Sequence, residues 1–504
     1  SDRGYAYGAT DGSSPYRSSD HDPVLVGVTS AAPPVTIDLV SVNDFHGRLE
    51  ASGASAGAAV LAGAIDTFRA ANPNTLFVSA GDNIGATTFT SFIQDDEPTI
   101  AALNAAGLDA SALGNHEFDR GRADLDDRVL GLVDFPYLSA NVYDRATAEP
   151  AYDPYWVTEV GGVRVGVIGA VTEALPSLVT PAGIASLETR SIVTEVNRFA
   201  DQLTDGDEAN GEADVLVLAV HEGAAHDGSL EEDPAFLAML EGISPEVDVI
   251  FSGHTHLAYV FEQTVDGSTL PRPVVQSGQY GENLAHVQLT VDPATGDVVS
   301  SSAELVPLAG NFPADPEVAQ IVADAVEVAE ELGDVSLGRI TGDLMRARQS
   351  DGTTENRGGE STLGNLIADV QLWATSELGT QIAFMNPGGM RTDITYASSG
   401  PDDPDGNVTY REAANVQPFA NTLVTMTLTG AQVVQVLEEQ WQPAGAARPF
   451  LRLGTAGITH TYDPTAPAGE RIGQVWVGGE PLDLDAEYRV VVNSFLASGG
   501  DNFG

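Results

Sequence analysis

The sequence of 504 residues predicts two successive α/β domains, and three features of its hydropathy pattern lead to this fold class. Short apolar runs alternate with helical stretches from about residue 35 to 305, which is typical of a layered α/β domain. A long helical stretch follows, and a second alternation continues from about residue 338 to the end. With 42% hydrophobic residues the chain can bury large cores, which excludes a wholly disordered protein.

The first domain contains six apolar runs of strand length. They cover residues 36–42, 75–79, 110–113, 163–168, 214–220 and 247–251. Residues 315–332 then place apolar side chains at helical spacing, with Pro313 and Pro316 near the start and Gly333 at the end. This helix fits two roles, either the last helix of the first domain or the connector between the domains.

The second domain combines helical stretches with further apolar runs. Helices are predicted near residues 362–378 and 431–440, and strands at 381–385, 423–428 and 488–493. Trp373 and Trp441 fall in the helical stretches, and we expect both in the core. The predicted domains are a leader and linker at 1–34, a first domain at 35–308, a connecting helix at 309–337 and a second domain at 338–504.

The charge balance excludes several classes of function. The chain has 73 acidic and 22 basic residues, a net charge of -51, and no lysine, so every basic residue is arginine. Such a surface repels nucleic-acid backbones, and we expect no direct nucleic-acid binding by this portion. The absence of cysteine excludes disulfides, thiolate metal sites and a cysteine nucleophile. No run approaches the roughly 18 apolar residues that a membrane span needs.

Five segments of the first domain share one design, in which an apolar strand is followed by a polar cluster that usually contains glycine. The segments are Asp44-Phe45-His46-Gly47, Gly81-Asp82-Asn83, Gly114-Asn115-His116-Glu117-Phe118-Asp119, His221-Glu222-Gly223 and Gly253-His254-Thr255-His256. A single Asp or His after a strand is more often a cap or a loop residue. Because ligands of open α/β sheets bind at the carboxyl ends of strands, however, five such clusters predict one shared site.

The residue types in these clusters point to metal chemistry. Imidazole, carboxylate and amide oxygen together are ligands for divalent ions such as Zn²⁺ or Mn²⁺. Two such ions about 3.5–4 Å apart clamp the attacking and leaving oxygens of a phosphoryl transfer. Glycine beside the ligands allows sharp turns and a close approach of substrate.

In order and spacing, the five clusters resemble those of the calcineurin-like metallophosphoesterases, specifically the 5′-nucleotidase/UDP-sugar hydrolase branch. The resemblance runs from about residue 36 to the end of the chain. It implies a four-layer β-sandwich with flanking helices, joined by a helix to a smaller α/β substrate-binding domain. It also implies two divalent metal ions, with Zn or Mn as examples.

The resemblance assigns a role to each cluster. One metal is implied at Asp44, His46 and His256, and a second at Asn115, His221 and His254, with Asp82 as the bridge. His116 and Asp119 match the catalytic pair of the family, in which the histidine acts at the substrate phosphate and the aspartate orients it. Asp119 as a helix cap beside a packed His116 is the alternative, and Glu117 and Glu222 have the alternative of simply facing solvent.

In the second domain the resemblance implies a nucleotide pocket. Its members are Arg357, Asn386, Arg391, Phe419, Asn421, Phe495 and Asp501. The arginines suit phosphate, the two phenylalanines would sandwich a base, Asp501 would accept from ribose hydroxyls, and the asparagines would contact sugar or base. Ordinary core packing is the alternative for both phenylalanines.

The sequence thus predicts a two-metal phosphohydrolase that cleaves 5′-nucleotides to nucleoside and phosphate through a metal-bridging hydroxide. UDP-sugars, 2′,3′-cyclic nucleotides and nucleoside di- or triphosphates are alternative substrates, and a non-catalytic nucleotide-binding surface protein is an alternative of another class. We expect a secreted or cell-surface bacterial protein. The segment Ser18-Ser19-Asp20-His21-Asp22-Pro23 and the apolar run after it resemble the tail of a DNase I-like endonuclease/exonuclease/phosphatase domain.

Overall fold

The computed structural model describes residues 33–400, 403–419, 421–443, 446 and 448–503. The nuclease-like motif at residues 18–23 and the apolar run after it lie outside the described residues. Of the helices in the described ranges, none combines the length and the apolar character that crossing a bilayer requires.

Two six-stranded sheets are built from the first half of the described chain. Its strands are β1 (Val35–Val42), β2 (Thr75–Ser79), β3 (Ala110–Ala112), β4 (Tyr137–Leu138), β5 (Val142–Asp144), β6 (Tyr155–Val160), β7 (Val163–Val171), β8 (Leu187–Thr189), β9 (Val215–His221), β10 (Val247–Ser252), β11 (Ala258–Gln263), β12 (Arg272–Ser277), β13 (Asn283–Val291) and β14 (Val298–Pro307). One sheet has the order β14-β13-β1-β2-β3-β4, the other has the order β11-β12-β10-β9-β7-β6, and β5 pairs with β8.

Both sheets are parallel where the predicted strands lie. Strands β1, β2, β3 and β4 pair in parallel in the first sheet, as do β7, β9, β10 and β12 in the second. The six predicted strands correspond to β1, β2, β3, β7, β9 and β10, and β7 extends three residues beyond its predicted end. Because neighbouring strands are parallel, their carboxyl ends meet at one edge of each sheet.

Helices cover the outer faces of both sheets. Those of the first half are α1 (Ala58–Ala71), α2 (Phe89–Phe92), α3 (Glu97–Ala105), α4 (Arg122–Asp127), α5 (Leu175–Leu178), α6 (Ile192–Leu203), α7 (Pro234–Gly242) and α8 (Pro316–Gly333). One core lies between the sheets, with Leu39 and Val217 buried in it. A second lies under α1, α3 and α8, and a third under α6 and α7. These four layers confirm the predicted fold class.

Helix α8 packs as part of the first half and then leads into the second. The Asp315 side chain accepts a hydrogen bond from the Val318 N–H and caps its start, while Pro316 occupies the first turn. Val318 and Ala325 are buried in the core under α1 and α3. The helix therefore fills both of the roles that the sequence left open.

The second half forms a smaller α/β unit. Its elements are β15 (Ser336–Arg339), α9 (Thr362–Ala374), β16 (Ile382–Met385), β17 (Asn407–Thr409), α10 (Tyr410–Val416), β18 (Leu423–Thr429), α11 (Gly430–Glu438), β19 (Gly454–Ala456), β20 (Ile458–Tyr462), β21 (Ile472–Val477), β22 (Glu480–Pro481), β23 (Glu487–Asn493) and α12 (Ser494–Ala497). The main sheet has the order β18-β23-β16-β19.

The prediction that Trp373 lies in the core is wrong. Trp373 is 77% exposed, because the buried side of α9 is formed by Leu363, Ala368 and Gln371. Trp441 lies beyond the end of α11 and packs at 4.7 Å, ring centre to ring centre, against Phe450. Helical spacing located these elements, but it did not show which face of α9 meets the core.

Candidate metal centre and substrate pocket

The ends of five strands converge on one cluster of ligand-type side chains. The clusters follow β1, β2, β3, β9 and β10, as the sequence predicts. Potential ligand atoms lie within 4.8 Å of one another in three overlapping sets, which are Asp44-His46-His256, His46-Asp82-His116 and Asp44-Asp82-His221. Because Asp44 and Asp82 each belong to two sets, the sets form one continuous centre.

Backbone and amide oxygens orient the histidine rings of this centre. The Nδ1 atom of His46 lies 2.8 Å from the Gly85 carbonyl oxygen, and that of His221 lies 2.8 Å from the Ala80 carbonyl oxygen. The Nδ1 atom of His256 lies 2.6 Å from the Gln279 Oε1 atom. Since these oxygens accept only from a protonated nitrogen, Nε2 of each neutral ring is left as the lone-pair donor.

Each aspartate has one oxygen held by the protein and the other directed at the histidines. Asp44 Oδ2 accepts from the Asn43 side chain (2.7 Å) and the His254 N–H (2.9 Å), and its Oδ1 lies 3.1 Å from His256 Nε2. Asp82 Oδ1 accepts from the His116 N–H (2.7 Å), while its Oδ2 lies 3.0 Å from His221 Nε2 and 3.7 Å from His46 Nε2.

Four buried atoms of the candidate ligands make no hydrogen bond of regular geometry within the described residues. They are Asp44 Oδ1, His46 Nε2, Asn115 Oδ1 and His221 Nε2. Asp44 Oδ1 and His221 Nε2 do lie 3.1 and 3.0 Å from His256 Nε2 and Asp82 Oδ2. Buried polar atoms are nearly always paired, and a cation bound among these atoms would satisfy them. Their nitrogen and oxygen donors fit a divalent cation of the zinc or manganese type.

The remaining predicted histidine ligand, His254, lies beside the third set, Asp44-Asp82-His221. Its ring is 5.2 Å from that of His221 in an edge-to-face arrangement, and it joins none of the three sets. His254 thus borders His221, whereas Asn115 is buried in the loop after β3, directly before His116. Their assignment to a second cation stays a prediction.

The backbone is strained at most of the predicted ligands. Positive φ angles occur at Asp44 (49°), His46 (47°), Asp82 (55°), His254 (71°) and His256 (63°). Such conformations cost non-glycine residues about 1–3 kcal/mol each and persist where surrounding structure enforces them. The concentration of five in one centre indicates that the fold is stabilised elsewhere to hold these side chains in place.

His116 and Asp119 form a pair beside the centre. The His116 Nδ1 atom lies 2.9 Å from Asp119 Oδ2, in the 3₁₀ turn that follows β3. Burial opposes a charge on the ring, but Asp119 and Asp82 raise the pKa of His116 above its ordinary value. The two carboxylates therefore favour the protonated ring, which is the form that a general acid requires.

Electrostatic coupling is strong between the other members. Burial favours neutral Asp82, yet His221 and His116 hold the pKa of Asp82 well below its usual range. Burial likewise opposes charge on His221, but Asp82 raises the pKa of His221 to about 10. A cation that binds His221 Nε2 must therefore displace a proton.

Glu117 does not face solvent. It is 3% exposed and accepts hydrogen bonds from the backbone N–H groups of Gly114 (2.7 Å), Asn83 (2.8 Å) and Asp82 (3.0 Å). The alternative stated from the sequence is thus wrong for Glu117, because the turn after β3 directs this side chain toward the neighbouring loop. Glu222 is half-buried and accepts from the Thr172 hydroxyl at 2.6 Å.

The predicted substrate residues of the second half form a connected group. Asn386 Nδ2 donates to Asp501 Oδ2 at 2.8 Å. A Cβ atom on Gly388 would lie 3.3 Å from Arg357 Nη1 and 3.6 Å from Asp501 Oδ2, so these groups converge around this glycine. Arg357 also donates to Glu355 at 3.3 Å.

Arg391 and Phe419 connect this group to the metal centre. The Phe419 ring stacks on His116 with centroids 5.9 Å apart at an interplanar angle of 27°. The Arg391 guanidinium carbon lies 5.1 Å from the centre of the Phe419 ring. Burial lowers the pKa of Arg391, and the Arg357 charge adds to this effect. Phe419 is half-buried, so part of its surface stays accessible, and its role in base stacking stays a prediction.

Asn421 and Phe495 lie together at the start of α12. Asn421 Oδ1 accepts from the Ser494 hydroxyl (2.8 Å) and the Phe495 N–H (3.2 Å). Phe495 is half-buried, and a Cβ atom on Gly500 would lie 2.5 Å from its ring. The glycine therefore allows the 499–503 turn to pack directly against the ring.

Sequence reasoning missed a further strand end. Gly278-Gln279-Tyr280-Gly281 follows β12 and has the same design as the five clusters. Gln279 contacts His256, and the Tyr280 ring lies edge-on to His46 at 5.8 Å and to His256 at 5.6 Å. The glycine-flanked polar cluster after an apolar run was the available signal.

A third arginine near the pocket was also missed. Loss of hydration around the guanidinium, together with the charges of Arg357 and Arg391, lowers the pKa of Arg448. Asp501 and Glu355 oppose this shift. Nothing in the local sequence marks Arg448, because only the tertiary fold brings its loop to Arg357.

Comparison with known families and proteins agrees with this geometry. The model of the calcineurin-like phosphoesterases matches residues 38–258, and that of the 5′-nucleotidase C-terminal domain matches residues 336–504. The solved structure of a 5′-nucleotidase precursor from Thermus thermophilus is similar, with a TM-score of 0.73 and 29% identity over 93% of this chain and 91% of that chain.

Two curated bacterial relatives are longer than this chain. Endonuclease YhcR of Bacillus subtilis is 28% identical over 489 residues, which cover 92% of this chain and 37% of the relative. Cell wall protein Lmo0130 of Listeria monocytogenes is 28% identical over 522 residues, which cover 94% of this chain and 64% of the relative. The matches thus span 37% and 64% of the length of these two relatives.

The four-layer fold and the ligand cluster at its strand ends define a calcineurin-like metallophosphoesterase. The second unit narrows this class, since it matches the C-terminal domain of 5′-nucleotidases. The chain belongs to the 5′-nucleotidase family of metal-dependent hydrolases.

Proposed function

We propose that this chain is a two-metal phosphohydrolase that releases phosphate from 5′-nucleotides. The observation that carries the proposal is the cluster of ligand-type atoms of Asp44, His46, Asp82, His221 and His256 beside the His116–Asp119 pair. Arg391 and Phe419 face this group from the second half of the chain. A site of this kind combines metal ligands, an acid, a cation for phosphate and an aromatic ring for a base.

One cation would be held by Asp44, His46 and His256, and the other by Asn115, His221 and His254. Asp82 would serve both through Oδ2, the oxygen that faces His46 and His221. When bound, such a pair supplies an activated water at neutral pH and neutralises charge on the phosphate.

The side chains around the metals would complete the reaction. His116, whose protonated form is favoured by Asp119 and Asp82, would donate a proton to the leaving oxygen, while Asp119 fixes the ring through Nδ1. Arg391 and Arg357 would bind phosphate oxygens. Phe419 and Phe495 would stack on the base, Asp501 would accept from the ribose, and Asn386 and Asn421 would hold these residues in place.

Hydrolysis of 5′-AMP tests the proposal. We expect phosphate release that is lost in excess chelator and restored by Mn²⁺, Zn²⁺ or Co²⁺. An Asp82→Ala variant should be inactive under all of these conditions. Absence of turnover of every nucleotide with each metal would overturn the proposal.

A second candidate substrate class, the nucleoside di- and triphosphates, is favoured by one observation. Arg448 adds a third cation near Arg357 and Arg391, which is more than a single phosphate needs. Rates with AMP, ADP, ATP and UDP-glucose, measured on the wild type and on Phe419→Ala, separate the classes. Base stacking predicts that Phe419→Ala loses nucleotide preference but still hydrolyses p-nitrophenyl phosphate.

We also propose an extracellular location, supported by the name of the Listeria relative as a cell wall protein. Fractionation of the source cells checks this location.

We also propose the predicted domain boundaries, which give a first domain at 35–308, a connecting helix at 309–337 and a second domain at 338–504. Limited proteolysis checks these boundaries.

A further inference from the structure

One buried carboxylate connects two loops of the metal centre. Glu117 Oε2 accepts from the N–H groups of Gly114 (2.7 Å) and Asp82 (3.0 Å). Its Oε1 accepts from the Asn83 N–H (2.8 Å) and from the Tyr137 hydroxyl (3.3 Å). Both oxygens are therefore used, and none of these contacts is to another charged side chain.

The donors belong to two different loops. Asp82 and Asn83 follow β2, whereas Gly114 follows β3, the neighbouring parallel strand. A second link runs in the opposite direction, because the His116 N–H donates to Asp82 Oδ1 at 2.7 Å. Each loop thus supplies a carboxylate that accepts from the backbone of the other.

These links set the orientation of Asp82. With Oδ1 held by His116 and the backbone held by Glu117, the Asp82 Oδ2 atom is directed at His46 and His221. Asn115 and His116 lie on the same loop as Gly114, so their positions depend on the same contacts.

We propose that Glu117 is a positioning residue that holds the shared ligand Asp82 in register with Asn115 and His116. The inference rests on the proposed function, since it concerns the same site. A glutamine has the same shape but offers N–H groups on one side, and these would face the backbone N–H groups of one loop. Glu117→Gln therefore separates the loops without removing volume.

Metal binding to the full chain tests this role. Calorimetric titration of metal-free protein with Co²⁺ should show that Glu117→Gln weakens binding by about 10–100-fold, the usual effect of losing an outer-shell partner. The visible absorption spectrum of bound Co²⁺ should change, because its ligands shift. The KM for 5′-AMP should stay within about twofold while kcat falls.

Glu195→Gln is the matched control. Glu195 is also a buried glutamate, 7% exposed, and it accepts from the hydroxyl of Tyr143 at 2.6 Å. It lies outside the metal centre, so its variant should bind Co²⁺ with wild-type affinity and spectrum even if the variant unfolds more easily.

Wild-type Co²⁺ affinity and spectrum in Glu117→Gln would overturn the inference. If Glu117→Gln does not fold, Glu117→Asp takes its place, since it keeps the charge but cannot reach both loops, and unchanged Co²⁺ binding would again overturn the inference. A wild type that binds Co²⁺ but hydrolyses no nucleotide would instead defeat the proposed function.

Discussion

The ligand atoms of the metal centre are oriented by contacts on their far sides. His46, His221 and His256 each use Nδ1 for a neighbouring oxygen, so that Nε2 is presented to the centre. Asp44 and Asp82 likewise have one oxygen engaged by N–H donors. Such preorganisation lowers the entropic cost of ordering the ligands when a cation binds.

At the residue scale, Asp119→Asn should shift the pH dependence of the reaction. Asp119 helps to raise the pKa of His116, so the ring stays protonated to higher pH. Without the charge the pKa of His116 falls, and the alkaline limb of kcat should move to lower pH. We expect a fall in kcat of about 10²-fold near neutral pH, measured from pH 5 to 10.

The control for this prediction is Asp124→Asn. Asp124 also lies near His116 in sequence, but it is on α4 and pairs at 2.7 Å with Arg128, the residue that follows this helix. Its variant should keep the wild-type pH profile. An unchanged alkaline limb in Asp119→Asn would contradict the acid role of His116.

At the scale of the element, parallel strand ends explain why the clusters meet. Strands β2 and β3 are neighbours in register, with Val78 opposite Ala110, so the loops after them emerge side by side. Glycine allows these loops to touch. A Cβ atom on Gly114 would lie 2.2 Å from Asp82 Oδ1, closer than any side chain tolerates.

Gly114→Ala should therefore displace Asp82 and weaken metal binding at the centre. The added methyl group must push Asp82 away or move the loop, and overpacking of this kind costs about 1–3 kcal/mol of stability. We expect weaker Mn²⁺ binding and a loss of activity of about 10²-fold or more, because misplacement of catalytic groups is costly. Thermal unfolding, calorimetry and phosphate release measure the three effects.

Gly131→Ala serves as the comparison. A Cβ atom there meets no atom within 4 Å, so its stability, metal binding and activity should match the wild type. Wild-type Mn²⁺ affinity in Gly114→Ala would contradict the prediction, because it would show that Asp82 can move away from the added methyl group and still bind the metal.

At the scale of the whole molecule, the few arginines stand out because acidic residues outnumber basic ones by 73 to 22. A net charge of -51 repels nucleotides from most of the surface. Arg357, Arg391 and Arg448 nevertheless lie close together, since the charge of Arg357 contributes to lowering the pKa of both Arg391 and Arg448. For the proposed nucleotide substrate, this concentration of positive charge would offer the phosphate a local approach to the centre.

Metal binding should stabilise the molecule in a pH-dependent manner. Since Asp82 raises the pKa of His221 to about 10, the ring is protonated at neutral pH, and a cation must displace that proton. Affinity should therefore fall as pH falls. Saturation at 100 times Kd adds about 2.7 kcal/mol per site, and the rise in Tm with fixed Mn²⁺ should shrink from pH 8 to pH 6.

Differential scanning fluorimetry at several pH values, with and without chelator, checks this prediction. Calorimetry in buffers of different ionisation enthalpy should also detect proton release on Mn²⁺ binding. A rise in Tm that does not change between pH 6 and 8 would contradict proton displacement at His221.

Local sequence patterns predicted six strands of the first domain, helix α8 and the five polar clusters at strand ends, because strand and helix periodicity and polar strand ends are properties of neighbouring residues. Tertiary structure alone decided that Glu117 is buried, that Trp373 is exposed, and that Arg448 joins Arg357. These outcomes depend on contacts between segments far apart in the chain. The hydropathy pattern of one segment therefore does not show which other segment will pack against it.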